Sequence, residues 1–223
     1  MKLSALFWCL LSLRAAAQYS LATVHDTATY NAAVRADPRQ ALVSLQAAIP
    51  GVVLDIRYAT DSNLMHRPVY TVAAAYLRAP AAQALRAVEA ELAVKGYGLK
   101  IFDAYRPYAV TVMFYEAYHD TNFVASPYTG SRHNRGCAVD LTMIDLRTGR
   151  ELSMPTPYDA FTPKAAAAYG DLPADARRNR KLLQYVMVRH GFNIYAHEWW
   201  HFDYAGWKDY PVTDIPFEAL SAP

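Results

Sequence analysis

The hydrophobic positions along the chain predict a mixture of helices and strands. Apolar residues at helical spacing are clearest over residues 79–95, where Pro80 lies in the first turn and Gly96 follows the last. Four further helices are predicted, at residues 29–36, 41–48, 108–118 and 174–190. Short β-rich runs predict strands at residues 52–58, 99–102, 136–143, 192–195 and 199–204, the last two as a hairpin.

The order of these elements favours the α+β class. Strands and helices are mixed without a regular βαβ repeat, and no internal repeat is visible. The chain has 223 residues, of which 53% are hydrophobic, so it is long enough to bury a core of its own. We therefore expect one α+β domain.

The N-terminal segment resembles a secretory signal. Lys2 precedes an apolar run over residues 3–13, and residues 15–17 are all alanine, the small-residue pattern that precedes a signal-peptidase cleavage site. Residues 1–17 are thus predicted to be a signal peptide and residues 18–223 the exported domain, periplasmic or extracellular. The alternative is a buried amphipathic N-terminal helix.

Charge and cysteine content narrow the function classes. There are 22 Lys and Arg residues against 20 Asp and Glu residues, and no basic stripe that would neutralise a run of phosphates, so nucleic acid is not an expected partner. After residue 17 no apolar run approaches the ~20 residues of a membrane span. The exported domain would keep only Cys137, which excludes an intramolecular disulfide and a cysteine-rich metal site.

Two polar segments contain residues suited to a catalytic metal site. Catalytic zinc commonly has three protein ligands, and His133, Asp140 and His201 supply two imidazoles and a carboxylate. Residues seven apart on one strand face opposite sides, so we expect His133 in a loop before Gly136 and Asp140 on the strand. Taken singly, each residue has a structural alternative: a hydrogen-bonded core histidine, or an aspartate that caps or pairs with a nearby arginine.

Glu198 stands three residues before His201, which again gives opposite faces on a regular strand. A bend near Trp199 is required for both side chains to face one cavity. If that bend exists, Glu198 lies beside the metal without ligating it and can accept a proton from water. His197 is expected to face away and is not predicted as a ligand.

The two segments resemble zinc D,D-peptidases of the D-Ala-D-Ala dipeptidase type. The family pattern Ser-x-His-x-x-Gly-x-Ala-x-Asp is matched from Ser131 to Asp140, and the downstream Glu-x-x-His from Glu198 to His201. Residues 55–63, 103–107 and 154–159 extend the resemblance, which covers residues 45–210. It implies a central, mostly antiparallel sheet flanked by helices, similar to the hedgehog and D,D-peptidase fold.

The resemblance also implies roles for individual residues. The ligands of one Zn²⁺ per chain would be His133, Asp140 and His201, with Glu198 as general base and acid. Further matched positions imply that Arg106 stabilises the oxyanion and that Ser131 and Asp159 face the substrate ammonium. For Arg106, a salt bridge to Asp103 is the alternative. Arg132 departs from the small or uncharged residue expected before the histidine: it would either point to solvent or, if it points inward, alter substrate preference.

The expected activity is zinc-dependent hydrolysis of D-Ala-D-Ala, in the turnover or scavenging of cell-wall peptides. The expected partner is therefore a small D-amino-acid dipeptide or a peptidoglycan-derived peptide. A D,D- or L,D-carboxypeptidase acting on stem peptides would use the same chemistry with a cleft open to longer chains. A third hypothesis is a non-catalytic zinc-binding module. Neither Glu198 nor Arg106 is needed to hold the metal in such a module.

Overall fold

The computed structural model describes residues 19–121 and 124–220, so the predicted signal peptide lies outside the described residues. The helices of this part are α1 Thr27–Ala36, α2 Leu45–Ala48, α3 Ala79–Ala93, α4 Tyr108–Tyr118, α5 Ala174–Arg189 and α6 Phe217–Leu220. Its strands are β1 Thr23–Val24, β2 Leu42–Ser44, β3 Val53–Leu54, β4 Tyr76–Arg78, β5 Tyr97–Asp103, β6 Ala138–Asp145, β7 Phe192–Ile194, β8 His201–Tyr204 and β9 Val212–Thr213.

A five-stranded sheet in the order β3-β5-β6-β8-β7 forms the centre of the fold. The β3–β5 pairing is parallel, and the other three pairings are antiparallel. Strands β7 and β8 form the predicted hairpin, with Phe192 opposite Tyr204. Two small ribbons, β2–β4 and β1–β9, complete the strands of the described residues. The predicted α+β class and the mostly antiparallel sheet are confirmed.

The strand pattern separates a hydrophobic face of the sheet from a polar one. On β6, Val139, Leu141 and Met143 alternate with Asp140 and belong to the hydrophobic core. Helices α3 and α5 contact each other and the sheet, and their apolar faces join the same core. Asp140 therefore emerges on the face opposite to the one that these two helices support.

Helix α3 matches its prediction closely because its apolar stripe is regular. Leu85, Val88 and Leu92 are fully buried, and Pro80 occupies the first turn. The helix ends at Ala93, and Gly96 has a φ of +82°, a conformation that glycine adopts without strain.

Two predictions near the N-terminus were wrong in part. Over residues 41–48 only the last four are helical, because Leu42–Ser44 pairs with the unpredicted strand β4. The run over residues 52–58 contributes only Val53–Leu54 to the sheet and then enters a 3₁₀ turn. There the Tyr58 carbonyl accepts hydrogen bonds from the N–H groups of residues 69 and 70. Because these partners are more than ten residues away, the local sequence pattern does not indicate the turn.

Within the part of the chain that the structure describes, no helix combines the length and apolar character needed to cross a bilayer.

Candidate metal centre and substrate cleft

Strand register brings the first two candidate ligands together. Asp140 on β6 lies directly opposite His201 on β8. Residues directly opposite in an antiparallel pair have Cβ atoms about 4.5–5.5 Å apart, so both side chains project from the polar face as neighbours. His133 lies outside the strands, in a 3₁₀ turn over His133–Arg135, as predicted.

Gly136 ends the turn and starts the approach to β6. Its φ is +67°, a left-handed conformation that disfavours residues with a Cβ, and a Cβ there would collide with the Leu42 side chain. This glycine allows His133 to be directed back toward Asp140.

The three candidate ligand atoms surround one point. His133 Nε2 is 3.2 Å from His201 Nδ1 and 3.5 Å from Asp140 Oδ1, and His201 Nδ1 is 3.0 Å from the same oxygen. A tetrahedral zinc with bonds of about 2.0–2.1 Å separates its ligand atoms by ~3.3 Å. Among the described residues, these three form the cluster able to hold a metal ion.

Hydrogen bonds on the outer side of each ligand fix which atoms face this point. His133 Nδ1 donates to the Ala104 carbonyl at 2.6 Å, and His201 Nε2 donates to Asp203 Oδ1 at 2.9 Å. In neutral imidazoles the inward nitrogens then carry lone pairs, directed at a carboxylate oxygen. Two imidazole nitrogens and a carboxylate oxygen 3.0–3.5 Å apart are a donor set that suits a cation, so the residues fit a bound metal.

Asp203 and Tyr158 complete the surroundings of the ligands, and sequence reasoning missed both. Asp203 lies two residues after His201, hence on the same face of β8, and strand alternation could have identified it. The Tyr158 hydroxyl donates to Asp140 Oδ2 at 3.0 Å from a loop, where no local signal indicates a contact. Together they orient one imidazole and one carboxylate.

Glu198 lies beside the cluster, in the turn before β8. Its Oε2 is 3.8 Å from His201 Nδ1, and it lines the same cleft. The required bend is present at Trp199 and Trp200, which are both buried. Burial raises the pKa of the Glu198 carboxyl to about 7, a value suited to proton transfer near neutrality. The neighbouring His197 is exposed and lies outside the cluster, as expected.

A bulge in β5 brings Asp103 to the polar face. Ile101 pairs with Leu141, but the next pairing joins Asp103 to Asp140, so one residue of β5 is extra. The bulge turns Asp103 away from the hydrophobic face, on which strict alternation would place it together with Ile101.

Arg106 is fixed by Asp103 and also lines the cleft. Its Nε and Nη2 donate to Asp103 Oδ2 at 3.1 and 2.7 Å, and Tyr70 donates to the other oxygen. The guanidinium carbon lies 5.1 Å from the centre of the Tyr58 ring and 5.0 Å from that of Phe114. The salt bridge considered from the sequence is therefore present, and it holds the cation in place at the cleft wall.

The two residues expected near the substrate ammonium also line the cleft. Asp159 has a φ of +56°, in the left-handed region that is uncommon for residues other than glycine, and accepts the Tyr58 hydroxyl at 2.9 Å. Burial, assisted by the charge of Asp140, raises the pKa of Asp159 well above its usual range. Ser131 Oγ accepts the His133 N–H at 3.2 Å and so also supports the ligand turn.

The cleft itself is small. Its volume of about 100 Å³ is below the roughly 300–1,000 Å³ of sites that enclose drug-sized ligands. Its wall comprises the candidate ligands, Glu198, Arg106, Asp159, Ser131, Arg132 and several aromatic or apolar side chains. Cys137 is fully buried outside this lining, in agreement with its expected packing role.

Comparison with known proteins yields a consistent group of relatives. Residues 39–218 match the family model described as D-Ala-D-Ala dipeptidase. The chain is 32% identical over 182 residues to D-alanyl-D-alanine dipeptidase of Escherichia coli K12, which covers 82% of this chain and 94% of the relative.

Two solved structures are more distant. The LdcB LD-carboxypeptidase is 22% identical with a TM-score of 0.41, covering 72% of this chain and 71% of the other. A variant of the vancomycin resistance D,D-pentapeptidase VanY in complex with Zn(II) is 16% identical with a TM-score of 0.37, covering 60% of this chain and 75% of the other.

Proposed function

The chain belongs to the D-Ala-D-Ala dipeptidase family of metallopeptidases, and from that premise we propose that it hydrolyses the free dipeptide D-Ala-D-Ala with one bound Zn²⁺. The observation that carries this proposal is the position of Glu198 beside three converging ligand atoms, inside a cleft of about 100 Å³. A general base at that position serves hydrolysis, whereas holding a metal does not require it.

The proposed metal ligands are His133 Nε2, His201 Nδ1 and one oxygen of Asp140. Two neutral imidazoles and one carboxylate would leave a bound Zn²⁺ with a net charge of +1. When bound there, zinc supplies Lewis acidity, which polarises the scissile carbonyl and lowers the pKa of water.

Proton transfer is assigned to Glu198. Its carboxylate accepts a proton from the attacking water and returns it to the leaving amine, so no covalent intermediate with the enzyme is required. The pKa of about 7 keeps both protonation states accessible near neutral pH. Hydrolysis by this route uses one residue first as base and then as acid.

Arg106 is assigned to the oxyanion. Its guanidinium is permanently charged and is held by Asp103 before substrate arrives, so little reorganisation is needed as charge develops. Loss of one such donor typically costs ~3 kcal/mol of barrier stabilisation.

The selection of a free dipeptide is assigned to Asp159 and Ser131. Both line the cleft, and a buried carboxylate gains an ion pair only from a substrate that carries a free ammonium. An acylated or longer N-terminal side offers no such cation, so Asp159, whose raised pKa favours the neutral acid, would add no ion pair to binding. This arrangement supports the dipeptidase over a carboxypeptidase acting on stem peptides.

The N-terminal pattern supports a location outside the inner membrane. We propose that residues 1–17 direct export and that the enzyme meets its substrate in the periplasm or outside the cell. There it would act in the turnover or scavenging of cell-wall peptides.

The decisive experiment uses residues 18–223 loaded with zinc. Release of D-Ala is followed from D-Ala-D-Ala, from L-Ala-L-Ala and from a pentapeptide that ends in D-Ala-D-Ala. Glu198→Ala and a chelated sample serve as controls. We expect cleavage of D-Ala-D-Ala alone, abolished in both controls.

Two other outcomes would replace the proposal. Cleavage of the pentapeptide, with or without the dipeptide, would assign the enzyme to the carboxypeptidases. Stoichiometric zinc without turnover of any of the three substrates would favour a non-catalytic binding module.

A further inference from the structure

Arg132 places a second guanidinium at the cleft, and none of the proposed catalytic steps uses it. The side chain is 42% exposed and lines the cleft. Its guanidinium carbon lies 4.8 Å from the centre of the Trp207 ring, and its Nε is 3.6 Å from Asp203 Oδ2. That Nε is buried and has no hydrogen-bond partner among the described residues. A ligand in the cleft would therefore meet the part of the side chain that remains exposed.

A series of contacts connects Arg132 to the loop of Asp159 through the candidate ligands. From Asp140, the Tyr158 hydroxyl leads toward the loop that carries Asp159. On the other side, His201 Nε2 donates to Asp203, and Asp203 Oδ2 is 3.6 Å from Arg132 Nε. In this series of contacts the candidate metal ligands come between the basic Arg132 and the acidic Asp159, and both of these residues line the cleft.

A free dipeptide has the matching charge pattern. At neutral pH it carries an ammonium at one end and a carboxylate at the other, with its one peptide bond between them. With the ammonium at Asp159 and the peptide bond at the metal ligands, the carboxylate extends toward Arg132. Arginine suits this role because its planar fork can bind a carboxylate through two parallel hydrogen bonds.

We propose that Arg132 is a specificity-determining residue that binds the C-terminal carboxylate of the substrate. This inference rests on the proposed hydrolysis of a dipeptide and extends it by assigning the second charged end. The cation–π contact with Trp207 helps to hold the guanidinium at the cleft wall.

A purely structural role would give a different signature. If Arg132 only neutralised Asp203, its removal would disturb His201 and alter zinc affinity and kcat for every substrate. A carboxylate-binding role instead affects KM, and only for substrates that carry the carboxylate. A pair of substrates therefore separates the two roles.

The test compares D-Ala-D-Ala with its C-terminal amide, in wild type, Arg132→Ala and Arg132→Lys. Lys208→Ala is the matched control, because Lys208 also stacks on Trp207 but is exposed and absent from the cleft wall. We expect R132A to raise KM for the dipeptide roughly tenfold to a hundredfold, the range of a lost charge-assisted hydrogen bond. The KM of R132K for the dipeptide should lie between those of wild type and R132A, and the KM of K208A should equal that of wild type.

For the amide, we expect R132A and wild type to have the same KM, with kcat and zinc content unchanged throughout. An equal loss on both substrates, or none on either, would overturn the assignment.

Equilibrium binding keeps the proposed function and this inference separable. If the wild-type enzyme does not hydrolyse the dipeptide, the proposed function fails, and Arg132 is judged by calorimetric titration with D-Ala-D-Ala. Weaker binding to R132A than to wild type would support the carboxylate contact. Equal binding, or none to either protein, would overturn it.

Discussion

The two sides of the cleft are held in place by different means. On one side, Asp140 and His201 lie on paired strands, and the backbone ladder of β6 and β8 fixes their separation. On the other, Asp159 lies in the long connection between β6 and α5, outside the central sheet. Side-chain contacts hold it: Tyr58 donates to Asp159, and Tyr158 stacks on Phe102 with ring centres 4.6 Å apart.

This difference suggests that the strand side carries the metal chemistry and the loop side carries substrate recognition. A ladder of backbone hydrogen bonds keeps the backbones of Asp140 and His201 at a fixed separation, and outer contacts such as that of Asp203 then orient the ligand atoms. A loop held by a few aromatic contacts can change by substitution without disturbing that ladder. We therefore expect changes on the strand side to alter kcat or metal affinity, and changes on the loop side to alter KM.

The largest effect is expected for Glu198→Gln on the strand side. The amide cannot accept a proton from water, so kcat for D-Ala-D-Ala should fall about 10²–10⁴-fold, the usual contribution of a positioned acid–base group. Bound zinc should stay stoichiometric, because Glu198 lies outside the ligand cluster. His197→Gln, which changes the exposed neighbour, should leave kcat as in wild type. A variant E198Q with full activity would remove the assigned base.

Asp203→Ala should weaken metal binding without removing a ligand. The carboxylate accepts from His201 Nε2 and fixes the imidazole so that Nδ1 faces the other ligands. Loss of such an outer contact typically lowers metal affinity about 10–100-fold. Competition with a chromogenic chelator measures the dissociation constant. The control is Asp209→Ala, in an exposed position, and an unchanged affinity in D203A would show that Asp203 does not orient His201.

Sequence reasoning was strongest where local spacing has a direct geometric meaning. The turn before Gly136 and the bend at Trp199 both follow from side-chain alternation, and the structure contains both. The Asp103 bulge and the Tyr158 contact depend on pairing between distant segments, which local spacing does not encode. Strand β4 escaped prediction for the same reason, since its partner β2 is more than thirty residues away.

Asp159→Asn tests the loop side with a nearly isosteric change. The variant keeps an oxygen for the Tyr58 hydroxyl but loses the charge that is proposed to bind the substrate ammonium. KM for D-Ala-D-Ala should rise roughly tenfold, with kcat within about twofold of wild type. D159N should also discriminate less than wild type between D-Ala-D-Ala and N-acetyl-D-Ala-D-Ala, because the acetylated dipeptide has no ammonium for Asp159 to bind.

The matched control for this charge is Asp171→Asn, an exposed acid of the same connection, which should change neither constant. A fall in kcat with unchanged KM in D159N would place Asp159 with the chemistry and would break the division between the two sides.

The smallest effect is expected for Tyr58→Phe, which removes one hydrogen bond to Asp159 and keeps the ring that packs beside Arg106. A single hydrogen bond is worth about 1 kcal/mol, so KM should rise about fivefold. If Tyr58 acts only through Asp159, the same change made on top of Asp159→Ala should leave KM where D159A alone puts it. A further rise in that double variant would mean that the Tyr58 hydroxyl contacts substrate directly, whereas no further rise keeps Tyr58 as a positioning residue of the loop side.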